Sequence, residues 1–141
     1  MESLADAAAR LEELYHVLRP LVTMNQFDAP WGRQLRRYTA AREASNKKSI
    51  ELMKNWLTPK QLEEYQQTGA FEVIGNHTGT HYRIHNASPY NVIELDRGVR
   101  RRRLCFVPDN ANAPGDVMLA QKIMLETNER QALKVANHQS A

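Results

Sequence analysis

Three histidines spaced by four residues could bind a metal ion if they lay on a helix. His77, His81 and His85 have this spacing, which on a helix places side chains on one face. The residues between them instead alternate in polarity as in a β-strand, where each residue rises about 3.3 Å, so His81 and His85 would lie about 13 Å apart. One tetrahedral ion cannot span that distance, and we predict no metal site and no cofactor.

The single cysteine, Cys105, could act as a nucleophile if a histidine activated it. No oxyanion loop or orienting acid accompanies it in the sequence. Its place in an apolar run favours a buried, reduced thiol and a cytoplasmic protein. We therefore predict that the protein is not an enzyme.

Arginines are the other residues that could do chemistry, because guanidinium groups bind phosphates and carboxylates. The net charge is +3, and the basic residues form one cluster in a predicted helix and a second in a predicted sheet. The predicted binding residues are Arg33, Arg36, Arg37, Arg97, Arg100, Arg101, Arg102 and Arg103. If both clusters face one way, they would attract nucleic acid. An acidic protein surface is the alternative partner, and solvated surface charge is the alternative without one. No helix-turn-helix, zinc-finger or RNA-binding aromatic motif decides among these interpretations.

The second cluster ends a segment, residues 71–108, whose pattern predicts a small antiparallel sheet. Tyr82 and Ile84 alternate with polar residues and are expected to face the core. Gly75 and Gly79 bound a hairpin loop, where glycine supplies the positive φ of a tight reversal. Further strands are predicted at 91–95 and 102–107, with a turn at 96–98 and the arginines on the rim of the sheet.

Helices are predicted on both sides of this segment. A short helix starts near Ser3 and ends before Pro20, and a longer one runs from about residue 28 to Leu57. The longer helix has a stripe that is small and polar in its middle, which favours either close packing on another backbone or exposure to solvent. The stripe comprises Trp31, Leu35, Tyr38, Ala41, Ser45, Ser49, Leu52 and Trp56.

Two shorter patterns fix the remaining helices. Thr58 and Gln61 form a capping-box pattern for a helix that ends at Gly69. The last helix is expected to start with Asp116 as its cap, and apolar residues almost surround it, so we predict that it is the most buried helix.

These elements predict an α+β fold, with a three- to four-stranded antiparallel meander packed on a C-terminal helix and an N-terminal helical region. The domain boundary is predicted between a helical region, residues 1–57, and an α+β domain, residues 58–141. A mean hydropathy of -0.62 and the absence of a long apolar run favour a protein that does not enter a membrane. No secretory signal pattern is evident at the N-terminus.

The sequence from Leu57 to Asn137 resembles a family of short proteins of unknown function from bacteria and their phages. The resemblance lies in FEVIG, TG, YRI, NV, LCF with a following proline, GDVMLAQKI and LE. It implies common descent and no particular activity. The strands and the following helix also resemble a SWIM zinc domain, but this chain lacks the second and third cysteines and the cysteine-histidine pair of that pattern.

Together these features predict a non-enzymatic binding module of phage or bacterial origin. It would engage nucleic acid or a protein partner through its basic surface, and it could form homo-oligomers. The alternative is a phage structural or assembly subunit in which helices pack between copies.

Overall fold

A computed structural model describes residue 10 and the ranges 30–86, 89–107, 109 and 111–140. The chain divides into two compact units, Met1–Arg42 and Glu43–Ala141. The division lies earlier than the predicted boundary at residue 57, because Ser49 and Met53 pack into the second unit. The short helix predicted near Ser3 lies outside the described residues except for Arg10.

The predicted fold class, α+β, is confirmed: a five-stranded antiparallel sheet packs against the C-terminal helix. The strands are paired in chain order, from β1 at one edge to β5 at the other. The elements are α1 (Pro30–Asn55), α2 (Pro59–Thr68), β1 (Ala70–Ile74), β2 (His81–His85), β3 (Val92–Asp96), β4 (Val99–Cys105), α3 (Pro114–Val135) and β5 (Asn137–Ser140). The fifth strand was not predicted, because its sequence, NHQS, has no apolar alternation.

Local signals mark several ends of these elements. The predicted capping box of α2 is confirmed, since Thr58 and Gln61 exchange backbone and side-chain hydrogen bonds, and Gly69 ends the helix with a φ of 71°. The prediction that Asp116 caps α3 is wrong. Ala113 occupies the N-cap position without a side-chain hydrogen bond. Asp116 lies in the first turn, where its negative charge interacts favourably with the helix dipole.

The core lies between α3 and one side of the sheet, which we call the core face. Tyr82 and Ile84 point into it, as predicted, and are at most 1% exposed. Met53 of α1 completes this core. The core residues are Met53, Phe71, Val73, Tyr82, Ile84, Val92, Leu104, Phe106, Met118, Leu125, Ala132 and Ala136.

The C-terminal half of α1 packs on the start of α3. A Cβ atom at Gly115 would lie 2.3 Å from the backbone carbonyl of Ser49, so only glycine permits this approach. The Ser49 hydroxyl accepts a hydrogen bond from the Gly115 backbone N–H at 3.2 Å. Close packing thus applies to Ser49 alone of the small residues in this stripe, since Ala41 and Ser45 are exposed. Leu52 of the same stripe is also exposed, whereas its neighbour Met53 is buried.

Candidate functional site

The side of the sheet opposite the core carries a group of arginines. We call it the open face, because most of its side chains are exposed or half-buried. Arg83 of β2, Ile93 of β3 and Arg103 of β4 lie side by side in the register. In the next row Leu95 lies beside Arg100. Since residues directly paired across a sheet point to the same side, Arg83, Arg100 and Arg103 share this face.

A β-bulge decides which arginines of β4 reach the open face. Glu94 pairs with Arg102 and Leu95 pairs with Arg100, so Arg101 is an extra residue without a partner on β3. Strict alternation would have placed Arg100 and Arg103 on opposite sides of the strand. The bulge brings Arg100 to the side of Arg103, whereas Arg102 points toward the core face by simple alternation with Arg103.

His85 lies among the three arginines of the open face. Burial lowers the pKa of His85, and the nearby positive charges of Arg83, Arg100 and Arg103 lower it further. These effects favour the neutral form of the His85 imidazole. The arginine charges that lower this pKa are the same charges that would attract an anion to the face.

These arginines differ in their acidic partners. Arg83 binds Glu72 at 2.5 Å, and His81 lies 3.5 Å from the same carboxylate, which lowers the pKa of Glu72 although burial opposes this. Within the described ranges, no carboxylate lies within ion-pairing distance of Arg100 or Arg103. The face thus keeps two cationic side chains that are not neutralised by a neighbour.

Two nitrogen atoms on the open face are shielded from solvent and lack a hydrogen-bond partner in the described structure. They are Nε2 of His85 and Nε of Arg103. A buried polar atom without a partner costs about 1–3 kcal/mol, and such atoms in a native protein call for an explanation. A bound anion that shifts these side chains would provide the missing acceptor for Arg103.

The other predicted binding residues lie elsewhere. Arg97 occupies the two-residue turn between β3 and β4 with a φ of 50°, next to Gly98. Arg101 and Arg102 lie near the buried carboxylate of Glu94. The sequence led us to expect the four consecutive arginines on one rim of the sheet. They instead divide between the two faces of β4. Arg33, Arg36 and Arg37 are exposed residues of α1 and belong to the first unit.

Three residues of these sites were absent from the predicted set: Arg83, His85 and Glu94. The alternation of β2 already placed Arg83 and His85 on the side opposite Tyr82 and Ile84, so the signal was present in the sequence. Nothing in the run of identical arginines indicated the bulge, because four identical residues show no alternation of polar and apolar side chains. Without the bulge position, the partners of β4 could not be assigned.

The most buried carboxylate has a structural role. Glu129 is fully buried and accepts hydrogen bonds from the Tyr82 hydroxyl and the His77 backbone at 2.7 Å each, and from the backbone and hydroxyl of Thr78 at 2.7 and 2.5 Å. Burial alone would raise the pKa of Glu129, but these donors lower it overall. Burial and the adjacent Glu129 charge raise the pKa of Tyr82. All these donors stabilise the ionised carboxylate of Glu129.

A second buried polar pair also satisfies itself. The amides of Asn91 and Gln121 exchange hydrogen bonds of 2.7 and 2.9 Å, and Gln121 donates a further one to the Phe106 carbonyl at 2.8 Å. The pair ties α3 to the chain before β3 and after β4. Its amide groups are used in the fold and are not available to a ligand.

Cys105 is only half-buried, so the predicted burial is wrong. Its neighbour Leu104 occupies the core face, and strand alternation turns Cys105 to the other side. No group of three or more His, Cys, Asp or Glu side chains in the described residues is arranged to hold a metal ion.

None of the helices described here is both long enough and apolar enough to cross a membrane. No protein-family model, curated protein or solved structure matches this chain significantly.

Proposed function

We propose that the protein is a non-enzymatic binding module that engages nucleic acid through the open face of its sheet. The observation that carries this proposal is the grouping of Arg83, Arg100 and Arg103 around His85, with no carboxylate paired to Arg100 or Arg103 among the described residues. Guanidinium groups suit phosphate oxygens because they offer several donors in a fixed plane.

The chemistry of the face favours contacts with the nucleic-acid backbone. Its strand residues include no Phe, Tyr or Trp, so the aromatic stacking that many single-strand binders use is not provided there. Phosphate contacts position a nucleic acid without reading its sequence. We therefore propose binding with little sequence preference and a steep dependence on salt.

The test is the binding of a fluorescent single-stranded oligonucleotide, measured by anisotropy between about 50 and 200 mM salt. Replacing both Arg100 and Arg103 by Gln should reduce the slope of log affinity against log salt by about 1.4, because each phosphate contact on a single strand contributes about 0.7. The matched control is Lys60→Gln with Arg130→Gln, which removes the same charge from exposed helix positions.

Two results would contradict the proposal. One is a wild-type protein that does not retain the oligonucleotide even at the lowest salt. The other is an equal loss of slope in the open-face variant and the control variant, because net charge alone would then explain the binding. An acidic polypeptide retained in place of the oligonucleotide would identify a protein surface as the partner.

A second candidate is a phage structural or assembly subunit whose helices pack between copies. The observation in its favour lies on α1, where Trp31, Leu35 and Tyr38 follow one face at helical spacing and are 58%, 46% and 64% exposed. Clustered apolar side chains on a surface usually mark an interaction site. This candidate requires a molecular mass that rises with protein concentration and persists at high salt, since apolar contacts are not screened.

A further inference from the structure

A cavity of about 390 Å³ lies on the core face of the sheet, beyond the apolar core and next to the edge strand β5. Its lining is polar: Glu94, Arg101, Arg102, His138, Gln139 and Ser140. The cavity has the size of a small-molecule site, at the lower end of the usual range of about 300–1,000 Å³. We propose that it binds a phosphomonoester group.

The sheet register explains why a polar cavity forms there. One row of paired residues crosses all five strands on the core face, from Val73 and Tyr82 through Glu94 and Arg102 to Ser140. Its first two members are buried in the core, whereas Arg102 is only half-buried. The core face therefore changes from apolar to polar between β2 and β5.

Glu94 fixes Arg102 in the cavity wall. The carboxylate is only 7% exposed and accepts a hydrogen bond from Nε of Arg102. The two amino groups of the Arg102 guanidinium are not used by Glu94. One lies 3.3 Å from Nδ1 of His138, and the remaining N–H groups can donate to a ligand. Glu94 is thus a positioning residue, and its charge is offset by Arg102.

The β-bulge supplies the second cation. Arg101 is the extra residue of β4, its side chain is 67% exposed, and its guanidinium lies 3.8 Å from Glu94. Two guanidinium groups against one carboxylate leave the cavity with a net positive charge. A dianionic phosphomonoester complements this arrangement better than a cation or a neutral ligand does.

His138 and Ser140 add further donors. An N–H of Arg102 lies 3.3 Å from Nδ1 of His138, so Nδ1 serves as the acceptor and Nε2 is the ring nitrogen that faces a ligand as a donor. The Ser140 hydroxyl lines the same cavity. Two guanidinium groups, an imidazole and a hydroxyl match the several acceptor oxygens of a phosphate group.

The experiment uses methyl phosphate as the probe and follows the ring resonances of His138 by NMR in the full chain. We expect a saturable shift in the wild type and binding about tenfold weaker in Arg101→Gln, because that variant loses a charge-assisted hydrogen bond to the phosphate. Arg97→Gln is the matched control, since it removes the same charge from the turn outside the cavity. An unshifted His138, or equal binding by Arg101→Gln and the wild type, would overturn the proposal.

Ser140→Ala gives a second, milder variant, which should weaken methyl phosphate binding without removing a charge. Equal weakening of methyl phosphate binding by Arg97→Gln and Arg101→Gln would also refute a specific site, because the overall positive charge of the protein would then explain the binding. The double variant of Arg100 and Arg103 should leave methyl phosphate binding unchanged, since those residues lie on the opposite face. The cavity and the proposed nucleic-acid surface are thereby tested separately.

The source of the phosphate group is resolved with two oligonucleotides of one sequence, one carrying a 5′-phosphate and one a 5′-hydroxyl. Tighter binding of the phosphorylated strand, lost in Arg101→Gln, identifies a strand terminus as the ligand. Equal binding of the two strands, together with saturable methyl phosphate binding, identifies a small phosphorylated molecule.

Discussion

Glu129 shows how a single residue can stabilise two segments at once. Its carboxylate is fully buried on α3, yet it accepts hydrogen bonds from the loop between β1 and β2 and from Tyr82. A buried charge is tolerated only where it is well hydrogen-bonded. Here every donor comes from residues 77–82, so the charge ties the first hairpin to the helix.

The lowered pKa of Glu129 gives a prediction about pH and stability. Because the folded-state pKa lies below the ordinary value of 4.5, the carboxylate stabilises the fold above that value, and this contribution is lost as the pH falls through the folded-state pKa. Glu129→Gln should lower the free energy of unfolding at neutral pH by about 1–3 kcal/mol, since donors are left without acceptors.

The variant should also lose less stability on acidification than the wild type does. Urea unfolding at neutral pH and at a series of pH values that descends from 4.5 measures both effects. Glu43→Gln, at an exposed position, serves as the control and should change neither. Parallel pH profiles for the wild type and Glu129→Gln would show that another group causes the acid sensitivity.

At the scale of elements, the hairpin loop repairs a break in α3. Asn128 has non-helical angles, φ −150° and ψ 56°, so helical hydrogen bonds are interrupted there. Asn76 supplies replacements: its backbone N–H donates to the Leu125 carbonyl at 3.0 Å, and its amide bonds the Thr127 carbonyl and the Glu129 N–H at 2.9 Å each. These hydrogen bonds therefore hold the break in α3 and the hairpin loop together.

Gly75 is the position where this contact between the loop and α3 is most sensitive to substitution. A Cβ atom there would lie 2.3 Å from the carboxylate of Glu129, which four hydrogen bonds hold in place. Gly75→Ala should lower the free energy of unfolding by about 1–3 kcal/mol, the usual cost of overpacking. The measurement is denaturant unfolding of both single variants and of Gly75→Ala combined with Glu129→Gln.

The two substitutions should be far from additive, because each disrupts the same carboxylate contacts. Gly98→Ala is a useful contrast, since its φ of 80° makes alanine strained although no atom lies within 4 Å of the added Cβ. That strain should add to the effect of Glu129→Gln. Additive effects of Gly75→Ala and Glu129→Gln would refute the proposed steric conflict.

Regular patterns in the sequence were sufficient for the elements with strong local signals. The alternation around Tyr82 and Ile84 and the capping box of Thr58 both specify local geometry, and both predictions were confirmed. Long-range features were not predictable in this way. The polar strand β5 owes its conformation to its pairing with β4, and Gln121 and Glu129 are buried because other segments supply hydrogen bonds.

The candidate sites depend on the same long-range information. Arg100 and Arg103 were predicted as binding residues, but their common face follows from a bulge that four identical residues conceal. The contact between Glu94 and Arg102 joins two strands, and no local pattern reveals it. The sequence therefore indicates which residue types could bind a partner, whereas the strand register determines how they are grouped.

For the molecule as a whole, the core side chains among the described residues fall between Met53 and Ala136, within the second unit. A chain that starts at Glu43 should therefore keep a cooperative unfolding transition, because it retains every core side chain of the described residues. The same truncation removes Trp31, Leu35 and Tyr38, together with Arg33, Arg36 and Arg37. It thus separates the two candidate functions.

If the open face binds nucleic acid alone, the truncated chain should show the salt slope of the full chain. Each phosphate contact made by the arginines of α1 would instead lower the slope by about 0.7 on a single strand. Self-association in light scattering should disappear on truncation if the exposed side chains of α1 pack between copies. Full loss of oligonucleotide binding by a folded truncated chain would contradict the open face as the binding surface, and unchanged self-association would contradict α1 as the contact between copies.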